Sequence, residues 1–352
     1  MVKSTTLDSS LSPPCCLDAL FSQLPQNLVV VRADPTPDII SAPPASSWSG
    51  GESSVRSPRS LDTAQAFLRA IDAPATTRAY GTYDALLADP AVDIVYIASP
   101  HSHHFAHAHQ ALTAHKHVLL EKAFTVNTAQ AQLLVQLARA RGRFLMEALT
   151  QQVQQLVRDG AIGTVQRIVA DRNLGRDIET LFRTCRLVNP ALAGGALLDC
   201  KNPLDPQVAS SVIRYPATGV EETVTVVITA PEAKIQGVAT ASLRVRADPS
   251  EPGVRILGTH GQIQVFGPAA RPDWIQVVEY ASTQAPAVTR FLIPQGHGLF
   301  WEADECARCV RDGRLESDVM PLAETLAMMS VLDQVRAQNG LRFPPELESI
   351  AA

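Results

Sequence analysis

From Tyr83 onward, apolar runs and helically spaced stretches follow one another in a regular rhythm. Residues 83–87 have helical spacing and are closed by Asp89-Pro90. Residues 93–98 (Asp-Ile-Val-Tyr-Ile-Ala) are almost wholly apolar, as a strand covered on both faces requires. Residues 104–114 read as a helix and 117–121 as a strand. Asn127, with Gln130 three positions on, opens a further helix in a capping-box arrangement. That helix runs to about Arg141 and stops at Gly142, a normal C-terminal signal. Residues 144–148 form a third strand. Strand, helix, strand, helix, strand at this spacing predicts a parallel sheet with helices on its faces. Ligands of such sheets bind beyond the carboxyl ends of the strands. The pattern therefore gathers Ser99, Pro100 and His101, Lys122 and Ala123, and Glu147 around one crevice.

The flanks differ. Residues 61–71 place Ala64, Phe67, Leu68 and Ile71 at helical spacing, and residues 27–31 (Asn-Leu-Val-Val-Val) suit a short buried strand. Between them, residues 41–60 are rich in Ser, Pro and Gly, a composition that buries too little apolar surface to offset its ordering entropy. They read as a loop or disordered insert. After residue 149, residues 151–158 look helical. Strand-like segments then follow at 165–172, 222–229, 237–246, 255–257, 262–266 and 275–280. Strands without intervening helices predict an antiparallel sheet open on one face. Helices at 300–311 and 321–339 close the chain. The fold class expected is thus α/β, a parallel-sheet domain followed by an α+β domain with an open, mostly antiparallel sheet.

Composition narrows the function classes. Hydrophobic residues make up 46% of the 352 positions and charged residues 18%, enough apolar mass for a real core. A net charge of −5 without a Lys/Arg block offers no footprint for nucleic acid or an anionic membrane. No apolar run approaches the roughly 20 residues of a membrane span, and Met1-Val2-Lys3-Ser4-Thr5-Thr6 lacks the core of a signal peptide. The expectation is an intracellular, cytoplasmic protein with a small-molecule substrate, no nucleic-acid partner and no membrane partner. Six cysteines in this length do not form a disulfide framework. Cys306 and Cys309 lie three apart in a helical run and share a face, so two small side chains turned to the core is the expected arrangement.

Three features can carry chemistry. His101, His103, His104, His107 and His109 crowd the start of one helix, where a functional metal lacks a defined third ligand. One or two crevice histidines, the rest solvated, is the expected outcome. Glu121-Lys122 follows a buried strand directly. A partly desolvated lysine there exchanges a proton with a substrate hydroxyl, whereas a solvated loop lysine does nothing. Gly194-Gly195-Ala196-Leu197-Leu198-Asp199 allows close backbone approach and then presents a carboxylate, which either orients a base or a sugar hydroxyl or merely begins a helix at a junction.

In order along the chain, several segments together resemble the glucose–fructose oxidoreductase (Gfo/Idh/MocA) family, and within it the dimeric dihydrodiol dehydrogenase and NADP-dependent xylose dehydrogenase branch. They are residues 83–104, 116–124 (Lys-His-Val-Leu-Leu-Glu-Lys-Ala-Phe), 144–149, 192–199, 258–261 and 301–321. Several motifs in sequence order are far more specific than any one. The resemblance implies a Rossmann-type domain, with residues 1–60 a poorly ordered or degenerate first strand and loop and 61–148 its remainder. It implies residues 149–352 as a substrate and dimerisation domain, and a homodimer through the C-terminal sheet. It further implies hydride transfer between NADP (or NAD) and a carbinol carbon of a sugar or diol. By the same resemblance Lys122 is the acid/base with Asp199 beside it, Ser99, Pro100 and His101 lie at the nicotinamide, and Arg59 meets a 2′-phosphate. His104, Glu121 and Glu147 complete the cofactor-side set, and no metal is implied.

Three departures stand out. The family's opening Gly-x-Gly-x-x-Gly/Ala cradles a pyrophosphate at a helix N-terminus, yet the first glycines here are Gly50 and Gly51. The Trp-x-Arg-Phe expected after Leu149 is absent, and Thr150-Gln151 follows at once. The family's Asp-Leu-Gly-Val/Ile-Tyr-Pro reads Asp199-Cys200-Lys201-Asn202-Pro203, without the tyrosine. Beside the oxidoreductase therefore stands a second expectation, a catalytically degenerate relative acting as a binding or scaffolding protein.

Overall fold

A computed structural model describes residues 3–4, 28–31, 61–70, 78–148, 152–176, 178–180, 185, 187–199, 207–267, 272–280, 288–292 and 300–351. In chain order the elements are β1 (Lys3–Ser4), β2 (Leu28–Val31), α1 (Leu61–Ala70), α2 (Tyr83–Ala88), β3 (Ile94–Ile97), α3 (His101–Thr113), β4 (His117–Leu120), α4 (Thr128–Arg141), β5 (Leu145–Glu147) and α5 (Gln152–Arg158). There follow β6 (Val165–Asn173), β7 (Gln207–Arg214), β8 (Glu221–Ala230), β9 (Ile235–Ser242), β10 (Val254–Gly258), β11 (Gly261–Phe266), β12 (Trp274–Glu279) and β13 (Val288–Leu292). The last helices are α6 (Phe300–Arg311), α7 (Leu322–Gln338) and the short α8 (Pro345–Glu348).

Among the described residues, β2-β3-β4-β5 form one parallel sheet. Residues 28–31 serve as its first strand, with Leu28 opposite Ile94 and Val31 opposite Ile97. Strand side chains alternate between faces, and both faces are buried here. Val95, Ile97, Val118, Leu120 and Leu145 join a core with Phe105 and Leu112 of α3 and Leu134 and Val135 of α4. Ile94, Tyr96, Leu119 and Met146 turn the other way and pack against Cys306 and Cys309 of α6. The all-apolar strands of the sequence are thus explained, and both cysteines face the core, Cys306 1% and Cys309 0% exposed.

The larger sheet runs β1-β13-β12-β11-β10-β6-β9-β8-β7, antiparallel except where β6 meets β9 and β1 meets β13. In β8, Val224, Val226 and Ile228 are buried while Thr223, Thr225, Val227 and Thr229 are half-exposed. One face is therefore packed and the other open, as the alternation predicted. β7 and β13 were not legible: Gln207-Val-Ala-Ser-Ser-Val-Ile-Arg214 is half Ser, Ala and charge, and only its pairing with β8 makes it a strand. The helix expected at 104–114 begins earlier, at His101, because Pro100 takes the N-cap position and its carbonyl accepts from His103 N at 2.8 Å.

The C-terminal helices return to the start of α4. Asn127 caps α4 through Gln130 N (2.9 Å) and donates from Nδ2 to the Glu348 carbonyl. The Gln130 amide donates to the Leu347 and Ser349 carbonyls, and Asp333 of α7 accepts from Thr128 N. α4 ends at Gly142, whose φ of +59° supplies the left-handed cap. Leu134 is fully enclosed in this region. Leu134→Ala is expected to lower stability by about 2–5 kcal/mol, read as a lower denaturant midpoint at unchanged m-value.

Candidate active site

The crevice lies where β3, β4 and β5 stop. Glu121 N donates to the Ile97 carbonyl (2.9 Å) and Ala148 N to the Leu120 carbonyl (3.0 Å), so the strand ends are in step. Leu120 stands opposite Glu147, and Glu147 is 2% exposed. His104, near the start of α3, is fully buried between two loops. Its Nδ1 meets the Ala123 carbonyl and its Nε2 the Ser99 carbonyl, each at 2.7 Å. A neutral imidazole donates to one of the two. Burial pushes the His104 pKa below its ordinary value, and the two carbonyl contacts oppose that shift. His104 thereby staples the loop after β3 to the loop after β4, the one that carries Lys122.

Glu121 is fixed from beneath. The Tyr96 hydroxyl donates to its Oε1 at 2.5 Å, and its Oε2 accepts from Lys122 N at 3.1 Å. The Lys122–Ala123 peptide bond is cis. His101 reaches across the crevice, its Nδ1 3.3 Å from the Ala193 carbonyl. Ser99, Pro100, His101, His104, Glu121, Lys122 and Glu147 are thus gathered on the loops and strand ends of one sheet edge, and the Ala193–Asp199 segment is joined to them. Asp199 closes a 3-10 turn, Leu197–Asp199. Arg59, Leu149 to Gln151 and residues 200–203 lie outside the described residues.

The remaining histidines are not solvated as expected. His103, His107 and His109 are half-buried, because each packs on a neighbouring ring. His107 stands edge-on to Tyr83 and 3.1 Å from Ser99 Oγ, His103 lies 5.5 Å from His107, and His109 leans on Phe105. Among the described residues no group of three or more His, Cys, Asp or Glu side chains is placed to hold a metal ion.

Two residues of this region escaped the sequence reading. Tyr96 was read only as strand filler. Glu221, at the start of β8, is 4% exposed and lies under the Gly195 turn, its Oε1 accepting from Leu197 N at 3.1 Å. The available signal was Glu221-Glu222, two carboxylates opening an otherwise Thr/Val strand.

A parallel sheet with helices on its faces and polar loops gathered at its carboxyl edge is the architecture of a nucleotide-binding domain. Residues 54–149 match the oxidoreductase family with an NAD-binding Rossmann fold, Gfo/Idh/MocA. The chain is 40% identical over 331 residues to D-xylose 1-dehydrogenase (NADP(+)) of Hypocrea jecorina, covering 82% of this chain and 84% of that one. It is 32% identical over 308 residues to trans-1,2-dihydrobenzene-1,2-diol dehydrogenase of Homo sapiens, covering 82% and 89%. The fold is similar to that of aldose-aldose oxidoreductase from Caulobacter crescentus, solved with glycerol (TM-score 0.65, 22% identity, 80% and 88% covered). It is also similar to a 3-ketoreductase from Actinomadura kijaniata, solved with TDP-benzene and NADP (TM-score 0.62, 21% identity, 79% and 86% covered). The chain belongs to the Gfo/Idh/MocA oxidoreductase family.

Removing the Tyr96 hydroxyl leaves Glu121 without its donor from the strand below. Tyr96→Phe is expected to cost about 1.5–3 kcal/mol, the range for a hydrogen bond to a charged group, measured as a shift in denaturant midpoint.

Proposed function

We propose that the chain transfers a hydride between NADP (or NAD) and a carbinol carbon of a sugar or cyclic diol, with Lys122 as the acid–base residue. The observation that carries this reading is the loop of Lys122, fixed by His104 on one side and by Glu121 on the other at the carboxyl edge of the parallel sheet. The relatives named as D-xylose and dihydrodiol dehydrogenases support the substrate class.

The donor set at this edge fits the nicotinamide end of the cofactor. Ser99, Pro100 and His101 supply a polar loop leading into α3, while Glu121 and Glu147 offer acceptors for ribose hydroxyls or the carboxamide. Arg59 would meet a 2′-phosphate. A bound nicotinamide would supply the hydride acceptor for the carbinol carbon, or the hydride donor in the reverse direction. Lys122 takes the proton of the substrate hydroxyl as the carbon–hydrogen bond breaks, leaving a carbonyl product. Asp199 partners Lys122 or holds a substrate hydroxyl, and Lys201 or Asn202 substitutes for the family's tyrosine. A positioned proton acceptor of this kind contributes about 10²–10⁴ in rate. His104 and Glu121 keep the Lys122 loop in place and so reduce the motion that would misalign the transfer.

The same reading includes a cytoplasmic homodimer joined through the open face of the larger sheet. No described helix is long and apolar enough to cross a membrane. On that open face Val169, Val238 and Val227 stand side by side across β6, β9 and β8, an apolar row flanked by Asp171, Thr240 and Thr225. A charge in the middle of this row is costly once a second copy covers it. Val238→Glu is expected to give a monomer by light scattering where the unaltered chain gives a dimer. A monomeric unaltered chain would rule the dimer out.

The functional test is a fluorescence titration with NADPH and NADH, followed by turnover of D-xylose and of a trans-dihydrodiol. Micromolar NADPH binding is expected. Lys122→Ala should lower kcat by about 10²–10⁴ while leaving the NADPH Kd within severalfold. No binding at millimolar cofactor would sink the oxidoreductase reading and leave a non-catalytic relative.

A further inference from the structure

Glu221 is enclosed for a reason visible in the strand pairing. β7 and β8 run in register from Gln207 opposite Thr229 to Ile213 opposite Thr223, and then slip, so that Arg214 faces Glu221 and Glu222 is the extra residue. Such a bulge re-aims side chains and is common beside active sites. Both glutamates are consequently buried, at 4% and 8% exposure, instead of alternating. They have different surroundings. Glu222 accepts from Arg244 Nε at 2.9 Å, and Arg244 also pairs with Glu179, which accepts from the Tyr215 hydroxyl at 3.1 Å.

Glu221 has no ion pair among the described residues. Its carboxyl group accepts from Leu197 N at 3.1 Å, and its own carbonyl accepts from Ala196 N at 3.0 Å. The turn in turn is shaped to receive it. Gly195 has a φ of +122°, and a Cβ there would collide with the Glu221 carboxyl group, so only glycine permits the approach. Gly195 N is anchored to the Leu187 carbonyl and Gly194 N to the Asn189 carbonyl. Arg214 and Arg336 act on Glu221 through space, and burial outweighs them and pushes its carboxyl group above the ordinary range. Burying a carboxyl group without an ion pair is costly, and here the group is spent on the backbone of one short turn. That turn is the one that ends at Asp199 and whose Ala193 carbonyl meets His101.

We infer that Glu221 is a positioning residue for the reaction: its carboxyl group holds the Gly195–Asp199 turn at the crevice, and with it Asp199. The inference rests on the reading of Lys122 and Asp199 given above. It adds a buried carboxyl group, outside every motif of the resemblance, to the residues that set the rate.

The test compares Glu221→Ala and Glu221→Gln with the unaltered chain, using D-xylose and NADP, and measures kcat, KM and NADPH affinity. Glu221→Ala is expected to lower kcat by about a hundredfold, the effect of misplacing a catalytic group by about 1 Å, with the NADPH Kd within twofold. Glu221→Gln keeps an acceptor oxygen for Leu197 N and is expected to recover kcat to within a fewfold. If Glu221→Ala does not fold, Glu221→Asp carries the test, because it retains the carboxyl group but withdraws it from the turn; loss of kcat at unchanged NADPH affinity is again expected. Unchanged kcat, joint loss of kcat and NADPH binding, or failure of Glu221→Gln to recover would each overturn the inference. Lys122→Ala run alongside separates the two failures. If it abolishes turnover while Glu221→Ala does not, only the role of Glu221 falls. If Lys122→Ala turns over normally, or the unaltered chain does not turn over at all, the Lys122 reading falls and takes this inference with it.

Discussion

His104 is enclosed completely, with one ring nitrogen against the Ser99 carbonyl and the other against the Ala123 carbonyl. Much of the crevice depends on this contact. A parallel strand ends with its last backbone groups exposed to whatever loop follows, and a buried backbone group must find a partner. The loops after β3 and β4 bring these two carbonyls together, and a side chain from the start of α3 stands between them and donates to one. The consequence is geometric. Ser99 is followed by Pro100 and His101, and Ala123 is preceded by Lys122, so a single imidazole sets the spacing between the Ser99 loop and the lysine.

That arrangement needs a rigid floor, and the floor comes from distant sequence. One face of the parallel sheet is covered by α3 and α4, which lie between its strands. The other is covered by α6, whose Cys306 and Cys309 pack on Tyr96, Leu119 and Met146. Burial pushes the Cys309 thiol up to about 12, and the Cys306 thiol is also raised by its enclosure, so both act as small apolar side chains. Beside them, the Glu305 carboxylate accepts from Ser317 Oγ at 2.6 Å and from Cys309. The C-terminal turn then closes on the start of α4 through Asn127 and Gln130. Tyr96 belongs to both worlds: its ring lies in the α6 core while its hydroxyl holds Glu121.

The elements legible in the sequence are those whose causes are local. Gly142 ends α4 because the left-handed cap is a property of that residue, and Asn127 starts it through a bond to Gln130 three positions away. The apolar strands 94–97 and 117–120 announce two-sided burial. What stayed hidden depends on residues far apart in sequence. β7 is a strand because β8 is beside it. The half-burial of His103, His107 and His109 follows from aromatic neighbours that a histidine count does not reveal. Family motifs brought out Ser99, Lys122 and Asp199, whereas Tyr96 and Glu221 act on motif residues from strands that composition describes only as filler.

The departures from the family pattern take a physical shape once these supports are considered. On the proposed reading the absent tyrosine takes one partner from the lysine, but not the means of holding either group. Lys122 keeps Glu121, itself held by Tyr96, and Asp199 keeps a turn built on Glu221 and Gly195. A buried carboxyl group that lacks an ion pair among the described residues carries a desolvation cost, which an apolar side chain of similar volume would relieve. Gly195 likewise loses more backbone freedom on folding than any other residue would, and it serves here to admit that carboxyl group. The two fit together, because the carboxyl group occupies the space that a side chain at position 195 would take. The geometry of the turn is thus set from beneath by Glu221 and Gly195, independently of any residue that follows Asp199.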